Sequence, residues 1–193
     1  EYARKVSPGS RILDIGCGNG KLLELLPANI DYLGIDSSKK MIEISASRFP
    51  GKKFKTADIL ELQKLNETGF DEIFCIAVIH HLPGQDLRIR ALQNMAEKLN
   101  PGGKIIITAW NLWPQKKFRK LLFKNLVLKL LGKNKMEIGD IVFDWKGSNK
   151  QTSSKRYYHA FTKKEFKKII KKAGLTPKSI YKDKYNYFAE ITK

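Results

Sequence analysis

Residues 12–20 begin as an apolar run and end in three alternating glycines, Gly16, Gly18 and Gly20. The apolar run predicts a buried β-strand, and glycines after it permit a tight turn with left-handed backbone angles. Such a turn lets the backbone approach a ligand closely, and a helix predicted over residues 21–26 would direct its free N–H groups at that ligand. The segment therefore predicts a strand–turn–helix unit that binds a nucleotide-like cofactor.

The first 110 residues alternate between predicted strands and predicted helices, a pattern typical of a parallel sheet with crossover helices. Strands are predicted over residues 11–15, 31–35, 53–56, 72–76 and 104–109, with two closing strands over 179–181 and 185–191. Helices are predicted over residues 20–26, 38–48, 85–99 and 115–131, and a capping box at Thr162 and Glu165 begins one more. The sequence therefore predicts an α/β, Rossmann-like fold, with a sheet of about seven strands and helices on both faces.

The charge of the chain is concentrated in its second half. Residues 1–110 hold 15 Lys and Arg against 13 Asp and Glu, whereas residues 111–193 hold 22 against 6. A nearly neutral half joined to a strongly cationic half predicts a cofactor-binding core and a surface for a polyanion. The alternative is a general lysine bias of the host proteome, but such a bias would also have made the first half basic.

A chain of 193 residues holds one ordinary domain, and we predict a single domain over residues 1–193. Within it we predict a cofactor-binding core over 1–110, a basic insertion for substrate recognition over 111–160, and a C-terminal helix with closing strands over 161–193. Neither Cys17 nor Cys75 has a partner at metal-ligand spacing, which fits a cytoplasmic location and predicts no metal. No apolar run approaches the roughly 20 residues of a membrane span.

The spacing of the glycines distinguishes between two classes of cofactor. Dinucleotide-binding proteins use the pattern G-x-G-x-x-G/A beside a pyrophosphate, and here the third position after Gly18 is Lys21, so that pattern fails. The sequence from Asp14 to Gly20 instead resembles the first motif of class I S-adenosylmethionine-dependent methyltransferases. A sulfonium cofactor is cationic and has no phosphates at this turn, so the carboxylate of Asp14 is not penalised there.

The same resemblance implies further cofactor contacts on the next two strands. Asp36 ends the second strand, where a carboxylate can accept hydrogen bonds from both ribose hydroxyls, and Asp58 follows the third, where it can accept one from the adenine amine. Either residue alone is weak support, because aspartate at a strand end is also a common helix cap. The cofactor contacts that we predict are Asp14, Gly16, Cys17, Gly18, Gly20, Asp36, Ser37, Asp58, Ile59 and Ile76.

The fourth predicted strand leads into two adjacent histidines, His80 and His81. In a doubly wound sheet, this carboxyl edge is where a substrate meets the cofactor. A single histidine is usually structural, but a pair at this edge makes one substrate-facing ring a reasonable expectation. We predict that His81 faces the substrate and that the other ring packs inside the protein.

Several later motifs are similar to those of the tRNA wobble-uridine carboxymethyl methyltransferases, whose domain also occurs fused to AlkB-type hydroxylases. They lie at residues 76–82, 99–104, 140–145, 156–161 and 186–188. The resemblance implies S-adenosylmethionine as cofactor, tRNA as partner and, as in eukaryotic members, a small activator protein. It also implies that Arg156, His159 and His81 place a substrate carboxylate, which is already anionic at neutral pH and needs no general base. The alternative for residues 156–159 is a loop that packs its aromatic rings before a helix.

Two other functions remain open at this level. A small-molecule or lipid-linked methyltransferase at a membrane surface is favoured by the basic, apolar-rich helix over residues 115–131. A non-catalytic RNA-binding protein with the same fold is the second alternative, and the intact glycine and aspartate positions disfavour it.

Overall fold

The computed structural model describes residues 2–146 and 153–192 and contains nine strands and four α-helices in that part of the chain. The strands are β1 (Arg11–Ile15), β2 (Asp31–Asp36), β3 (Lys53–Thr56), β4 (Phe70–Ile76), β5 (Leu99–Trp110), β6 (Asp140–Lys146), β7 (Ser153–His159), β8 (Thr176–Lys182) and β9 (Asn186–Thr192). The α-helices are α1 (Lys39–Arg48), α2 (Gln85–Lys98), α3 (Lys116–Leu130) and α4 (Lys163–Lys172). Short 3₁₀ helices cover Ala3–Lys5, Lys21–Leu25, Ile59–Lys64 and Ile79–His81.

Seven of the strands form one mixed sheet in the order β3-β2-β1-β4-β5-β9-β8. Strands β1 to β5 pair in parallel, and β9 is antiparallel to both of its neighbours. The strand order reverses between β1 and β4, so the crevice for a ligand lies at the carboxyl ends of these two strands. The predicted seven-stranded α/β fold is confirmed.

The sheet buries apolar side chains on both faces, because alternate residues of a strand point in opposite directions. Ile73 and Cys75 of β4 join a large core with residues of α2 and α4. Phe74, between them, joins a smaller core on the other face with Ile12 and Ile106. Burial on both faces explains why the central strands are continuous apolar runs rather than alternating ones.

The second half of the chain adds a hairpin that the sequence analysis did not predict. Strands β6 and β7 pair antiparallel, and Ile141 lies opposite Tyr158. Both side chains are buried in a separate core together with Phe118 and Leu122 of α3. No strand was predicted over residues 140–146 or 153–159, because the partners that stabilise these strands are distant in sequence.

Two local expectations also need correction. The helix after the glycine turn is a short 3₁₀ helix. Strand β5 begins at Leu99, five residues before the strand predicted from residue 104, and Leu99 had been predicted as the last residue of the preceding helix. Helix α3 forms over nearly the predicted residues, and Phe118 and Leu122 on it are buried whereas Leu130 is 78% exposed. None of the helices in the described part of the chain is long and apolar enough to cross a membrane.

Candidate active site

The turn after β1 has the backbone geometry that its glycines allow. Gly16, Gly18 and Gly20 all have positive φ angles, of 69°, 53° and 76°. A Cβ atom on Gly16 would lie 2.3 Å from Cγ2 of Val78, whereas among the described residues no heavy atom lies within 4 Å of a Cβ built on Gly18. Gly16 therefore fits closely against the chain after β4, and the backbone at Gly18 stays open to a ligand.

Asp36 at the end of β2 is fixed by two backbone donors. Its Oδ2 atom accepts a hydrogen bond of 3.0 Å from the N–H of Gly18, and its Oδ1 atom accepts one of 2.8 Å from the N–H of Ser38. Each carboxylate oxygen has a further lone pair for another donor. The carboxylate is therefore preorganised beside the glycine turn, at the position that the resemblance assigns to the ribose hydroxyls of the cofactor.

A cavity of about 330 Å³ opens at the carboxyl edge of β1, β2 and β4. Of the residues predicted from the sequence, it is lined by Gly16, Asp36, Ser37, Asp58, Ile59, Ile76 and His81. Two carboxylates and several apolar side chains face it, and among the described residues no Lys or Arg lines it. These walls fit S-adenosylmethionine, which presents hydroxyls, an amine and an apolar ring and needs no cation to neutralise a phosphate.

Asp58 combines a structural role with its place in the cavity wall. Its Oδ1 atom accepts a hydrogen bond of 2.8 Å from the N–H of Leu60 and so caps the 3₁₀ helix that begins at Ile59. Ile59 itself is buried against the core. The helix cap that the sequence left open is therefore present. The contact with the cofactor stays a prediction, for which the carboxylate has acceptor sites beyond the one that caps the helix.

Asp14 lies next to the main cavity rather than in its wall. It lines an adjoining hollow with Cys17 and Ile76, and it is only 2% exposed. Burial raises the pKa of Asp14 to about 7, a hydrogen bond of 2.7 Å from the Tyr32 hydroxyl opposes the rise, and the charge of Asp36 adds to it. Burial also raises the pKa of the Cys17 thiol to about 12, so the thiol stays protonated and packs rather than reacts.

Ala77, which follows β4 in the cavity wall, is strained. It has a φ of 58° and is the only non-glycine residue of the described chain with a positive φ. Its N–H donates to Thr108 on β5, at 3.0 Å from the hydroxyl and 3.2 Å from the carbonyl oxygen. Strain of this kind persists where surrounding contacts fix it and is frequent at functional sites. No sequence signal distinguishes this alanine from others.

The two adjacent histidines have different environments. His80 is fully buried, with its ring 4.5 Å from that of His81 and 5.1 Å from that of Trp110, measured between centroids. Burial holds the pKa of His80 well below its usual range, so this ring is neutral and packs. His81 lines the cavity, and its pKa is also lowered, by burial and by the charge of Arg156, against a hydrogen bond to the backbone of Tyr157.

Arg156 of β7 is exposed and lies opposite Phe143 of β6. Its charge contributes to the lowered pKa of His81, which lines the cavity. Tyr158, two residues along the strand, is buried with its ring edge-on to His81 at 4.7 Å. The hairpin thus brings Arg156 to the carboxyl edge of the sheet, although the strand that holds it is far from the glycine turn in sequence.

His159 is placed differently from the expectation that it contacts a substrate carboxylate. It is fully buried and does not line the cavity. Its Nδ1 atom lies 2.6 Å from Oδ1 of Asp140, and its Nε2 atom lies 2.7 Å from Oε1 of Glu165. Burial lowers the pKa of His159, but the hydrogen bonds to the two carboxylates outweigh it and leave the pKa raised. Both ring nitrogens are occupied by the protein, so His159 positions the hairpin.

A buried arginine, Arg88 of α2, is the centre of this polar cluster. Its Nη2 atom lies 2.9 Å from Glu137, 3.6 Å from Asp140 and 3.0 Å from the Tyr157 hydroxyl. Glu137, Asp140 and His159 have ligand atoms close enough to hold a metal ion. The guanidinium already supplies the cation that these carboxylates need, so the cluster is better suited to holding α2, α4 and the hairpin together than to binding a metal.

Comparisons with known proteins agree with this geometry. A family model described as a methyltransferase domain matches residues 13–105, the segment from β1 into β5. The "Probable tRNA methyltransferase 9B" of Bos taurus is 40% identical over 110 residues, which are 57% of this chain and 23% of that protein. The chain thus spans about a quarter of the length of the first relatives that it matches.

A longer match and a solved structure extend the similarity over the hairpin. The Schizosaccharomyces pombe protein named "tRNA (carboxymethyluridine(34)-5-O)-methyltransferase" is 29% identical over 181 residues, which are 90% of this chain and 77% of that protein. The crystal structure of a SAM-dependent methyltransferase from Methanosarcina mazei superposes with a TM-score of 0.75 at 21% identity. The superposition covers 97% of this chain and 94% of the other chain, so the whole fold is shared.

Proposed function

We propose that the chain is a class I S-adenosylmethionine-dependent methyltransferase and that it methylates the carboxylate of a carboxymethyl group on the wobble uridine of tRNA. The proposed methyl donor is S-adenosylmethionine, held in the cavity at the carboxyl edge of β1, β2 and β4. The names of the relatives support the substrate, and the geometry of the site supports a carboxylate acceptor.

The observation that carries the proposal is the contact of β7 with His81 in the cavity wall, made by the backbone of Tyr157 and the ring of Tyr158, because it brings the adjacent Arg156 near the cofactor cavity. A guanidinium binds a carboxylate through two parallel hydrogen bonds and fixes its orientation. Methyl transfer to a carboxylate requires orientation more than proton transfer, because the acceptor oxygen is already anionic at neutral pH. A cation at the reacting edge therefore matches what this reaction needs from the protein.

Different residues of the site have different roles in the proposed reaction. The chemistry that a bound S-adenosylmethionine supplies is an electrophilic methyl group. Asp36 and Asp58 accept hydrogen bonds from the cofactor, and Ile59 and Ile76 cover its apolar surface. Arg156 orients the acceptor carboxylate. His81, whose pKa is lowered, lines the site as a neutral ring whose N–H donates to the backbone of Tyr157, so it neither repels the cationic cofactor nor takes a proton.

The charge of the chain supports a polyanionic substrate. The residues after position 110 include 22 basic and 6 acidic ones, and this part of the chain supplies α3, the hairpin and α4. RNA backbone contacts of this kind depend strongly on salt concentration. The activator protein and the cytoplasmic location that the resemblance implies stay predictions.

Transfer of labelled methyl groups to bulk tRNA, followed by mass spectrometry of the nucleosides, tests the proposal. We expect the label in the methyl ester of 5-carboxymethyluridine. Label in another nucleoside would overturn the substrate, and cofactor binding without transfer to any tRNA would overturn the function. Transfer to a lipid extract instead of tRNA would favour the membrane-associated methyltransferase.

A further inference from the structure

A second concave surface lies at the same edge of the sheet as the cofactor cavity. It is a groove of about 500 Å³ between the ends of α2, α3 and α4, and it is lined by three lysines, Lys129, Lys164 and Lys168. We call it the lysine groove. The proposed reaction at the cofactor cavity uses none of these lysines.

The topology explains why the groove and the cavity share one edge. Helix α2 connects two parallel strands, β4 and β5, so it begins at the carboxyl edge of the sheet. Strand β8 is parallel to β5, since both are antiparallel to β9, and α4 leads into β8. Helix α4 therefore also begins at the carboxyl edge, with Lys164 and Lys168 on its first two turns.

The acidic residues of the groove are already neutralised. Glu137 accepts hydrogen bonds from the backbone of Gln85 and from Arg88, each at 2.9 Å. Glu165 lies 2.7 Å from the ring of His159, whose pKa is raised. The lysines differ in this respect: Lys164 and Lys168 are exposed and form no ion pair with the described residues. The net electrostatic character of the groove is therefore cationic.

The groove is also at a suitable distance from the reacting edge. Glu165, in the groove, contacts His159, and His159 is three residues from Arg156 on β7. Three residues of extended strand span about 10 Å. A strand of nucleic acid whose target residue reaches Arg156 and the cofactor cavity can therefore pass through the lysine groove within a few nucleotides.

We infer that the lysine groove binds the phosphodiester backbone of the tRNA substrate a few nucleotides from the methylated residue, with Lys164 and Lys168 as its main phosphate contacts. This inference rests on the proposed function for the identity of the nucleic acid. The two lysines bind phosphates as point charges without reading bases. They would contribute affinity and register, whereas the reacting edge selects the nucleoside.

Helix α4 offers a control with matched charge. Lys171 and Lys172 lie on its last turn, at the far end from the groove, and are also exposed. The double variants K164Q/K168Q and K171Q/K172Q therefore remove the same charge from the same helix. Binding of bulk tRNA is measured at several salt concentrations in the presence of S-adenosylhomocysteine, so that the result does not depend on methyl transfer.

We expect K164Q/K168Q to weaken tRNA binding about tenfold near 0.1 M salt and to reduce the slope of log K against log salt by about 1.4, since each lost contact to a single strand removes about 0.7. K171Q/K172Q should change the affinity less than twofold. The charge-retaining variant K164R/K168R should bind like the unchanged chain, and circular dichroism melting checks that all variants are folded.

Equal losses in the two Gln variants would overturn the inference, because they would show a diffuse charge effect instead of a groove. No loss in either variant would overturn it as well. Failure of the proposed function is distinguishable: tRNA binding that depends on the groove without any methyl transfer would refute the function and leave the groove. Transfer to tRNA with identical KM values for both Gln variants would refute the groove alone.

Discussion

The Nδ1 atom of His159 lies 2.6 Å from Oδ1 of Asp140, and both side chains are buried. Because the other ring nitrogen contacts Glu165, this histidine joins the hairpin to the first turn of α4. Asp140 also accepts a hydrogen bond of 2.5 Å from the Tyr157 hydroxyl. The residue next to Tyr157 is Arg156, so the buried contacts of His159 fix the strand that presents the guanidinium to the cofactor cavity.

Replacement of His159 by alanine should lower the free energy of unfolding by about 3 kcal/mol, because it empties a buried position and removes the ring that bridges Asp140 and Glu165. The pKa of His159 is raised in the folded state, so its contribution is fully present below pH 6.5 and is lost as the pH rises through the folded pKa. The difference between the two chains in urea unfolding should therefore shrink above neutral pH. A difference that grows with pH would contradict this assignment.

The residues near the glycine turn could be predicted because local sequence determines them. Gly16, Gly18 and Asp36 belong to strand ends and a turn whose geometry needs those residue types. Gly16 and Asp36 line one cavity, and the N–H of Gly18 donates to Asp36. The hairpin could not be predicted in the same way. Its buried residues, such as Tyr158, are stabilised by α3 and by the histidine pair, which are distant in sequence.

Arg88 shows a second limit of sequence patterns. It falls at a helical spacing shared with apolar residues of α2, and it is fully buried with them. A buried guanidinium requires carboxylate partners, and those partners, Glu137 and Asp140, lie about fifty residues away. Nothing in the spacing around Arg88 identifies them, so the polar cluster and the buried position of His159 emerge only from the folded chain.

Replacement of Asp14 by asparagine should stabilise the chain at pH 8. Burial raises the pKa of Asp14 to about 7, so its ionisation opposes folding as the pH rises from about 4 to 7, and the cost is complete above that range. Asparagine keeps an acceptor for the Tyr32 hydroxyl. At pH 8 we expect the free energy of unfolding to rise by a few kcal/mol, and the shift in pKa limits this rise to about 4 kcal/mol. At pH 4 we expect the free energy of unfolding to change little. Urea unfolding at the two pH values measures this difference.

Replacement of Asp36 by alanine should abolish binding of S-adenosylmethionine. The variant loses a carboxylate that lines the cavity and that also orders the N–H groups of Gly18 and Ser38. Isothermal titration calorimetry measures the effect. The control is Asp31→Ala, which removes a charge at the other end of β2, where it forms only an exposed ion pair with Arg11. Unchanged affinity of Asp36→Ala would contradict the position of the cofactor site.

Replacement of Arg156 by alanine should spare cofactor binding and impair methyl transfer. A lost charge-assisted bidentate contact corresponds to a fall in kcat/KM of roughly 10²-fold. The variant Arg156→Lys should recover only part of the lost kcat/KM, because an ammonium cannot form the bidentate contact. Lys155→Ala is the control, because neighbouring residues of a strand point to opposite sides. Equal losses in the Arg156 and Lys155 variants would indicate a general effect of charge on tRNA binding rather than placement of the acceptor.

Replacement of Gly16 by alanine should destabilise the glycine turn by about 2–4 kcal/mol. A positive φ of 69° costs an alanine about 1–2 kcal/mol, and its Cβ would lie 2.3 Å from Cγ2 of Val78. Gly51→Ala is the control, since no described heavy atom lies within 4 Å of its added Cβ. Combining Gly16→Ala with Val78→Ala removes the steric overlap but leaves the backbone strain. Thermal unfolding is measured for the unchanged chain, Gly16→Ala, Val78→Ala and the double variant. We expect Gly16→Ala to lower the stability less in the Val78→Ala background. An equal loss of stability in both backgrounds would assign the whole effect to the backbone.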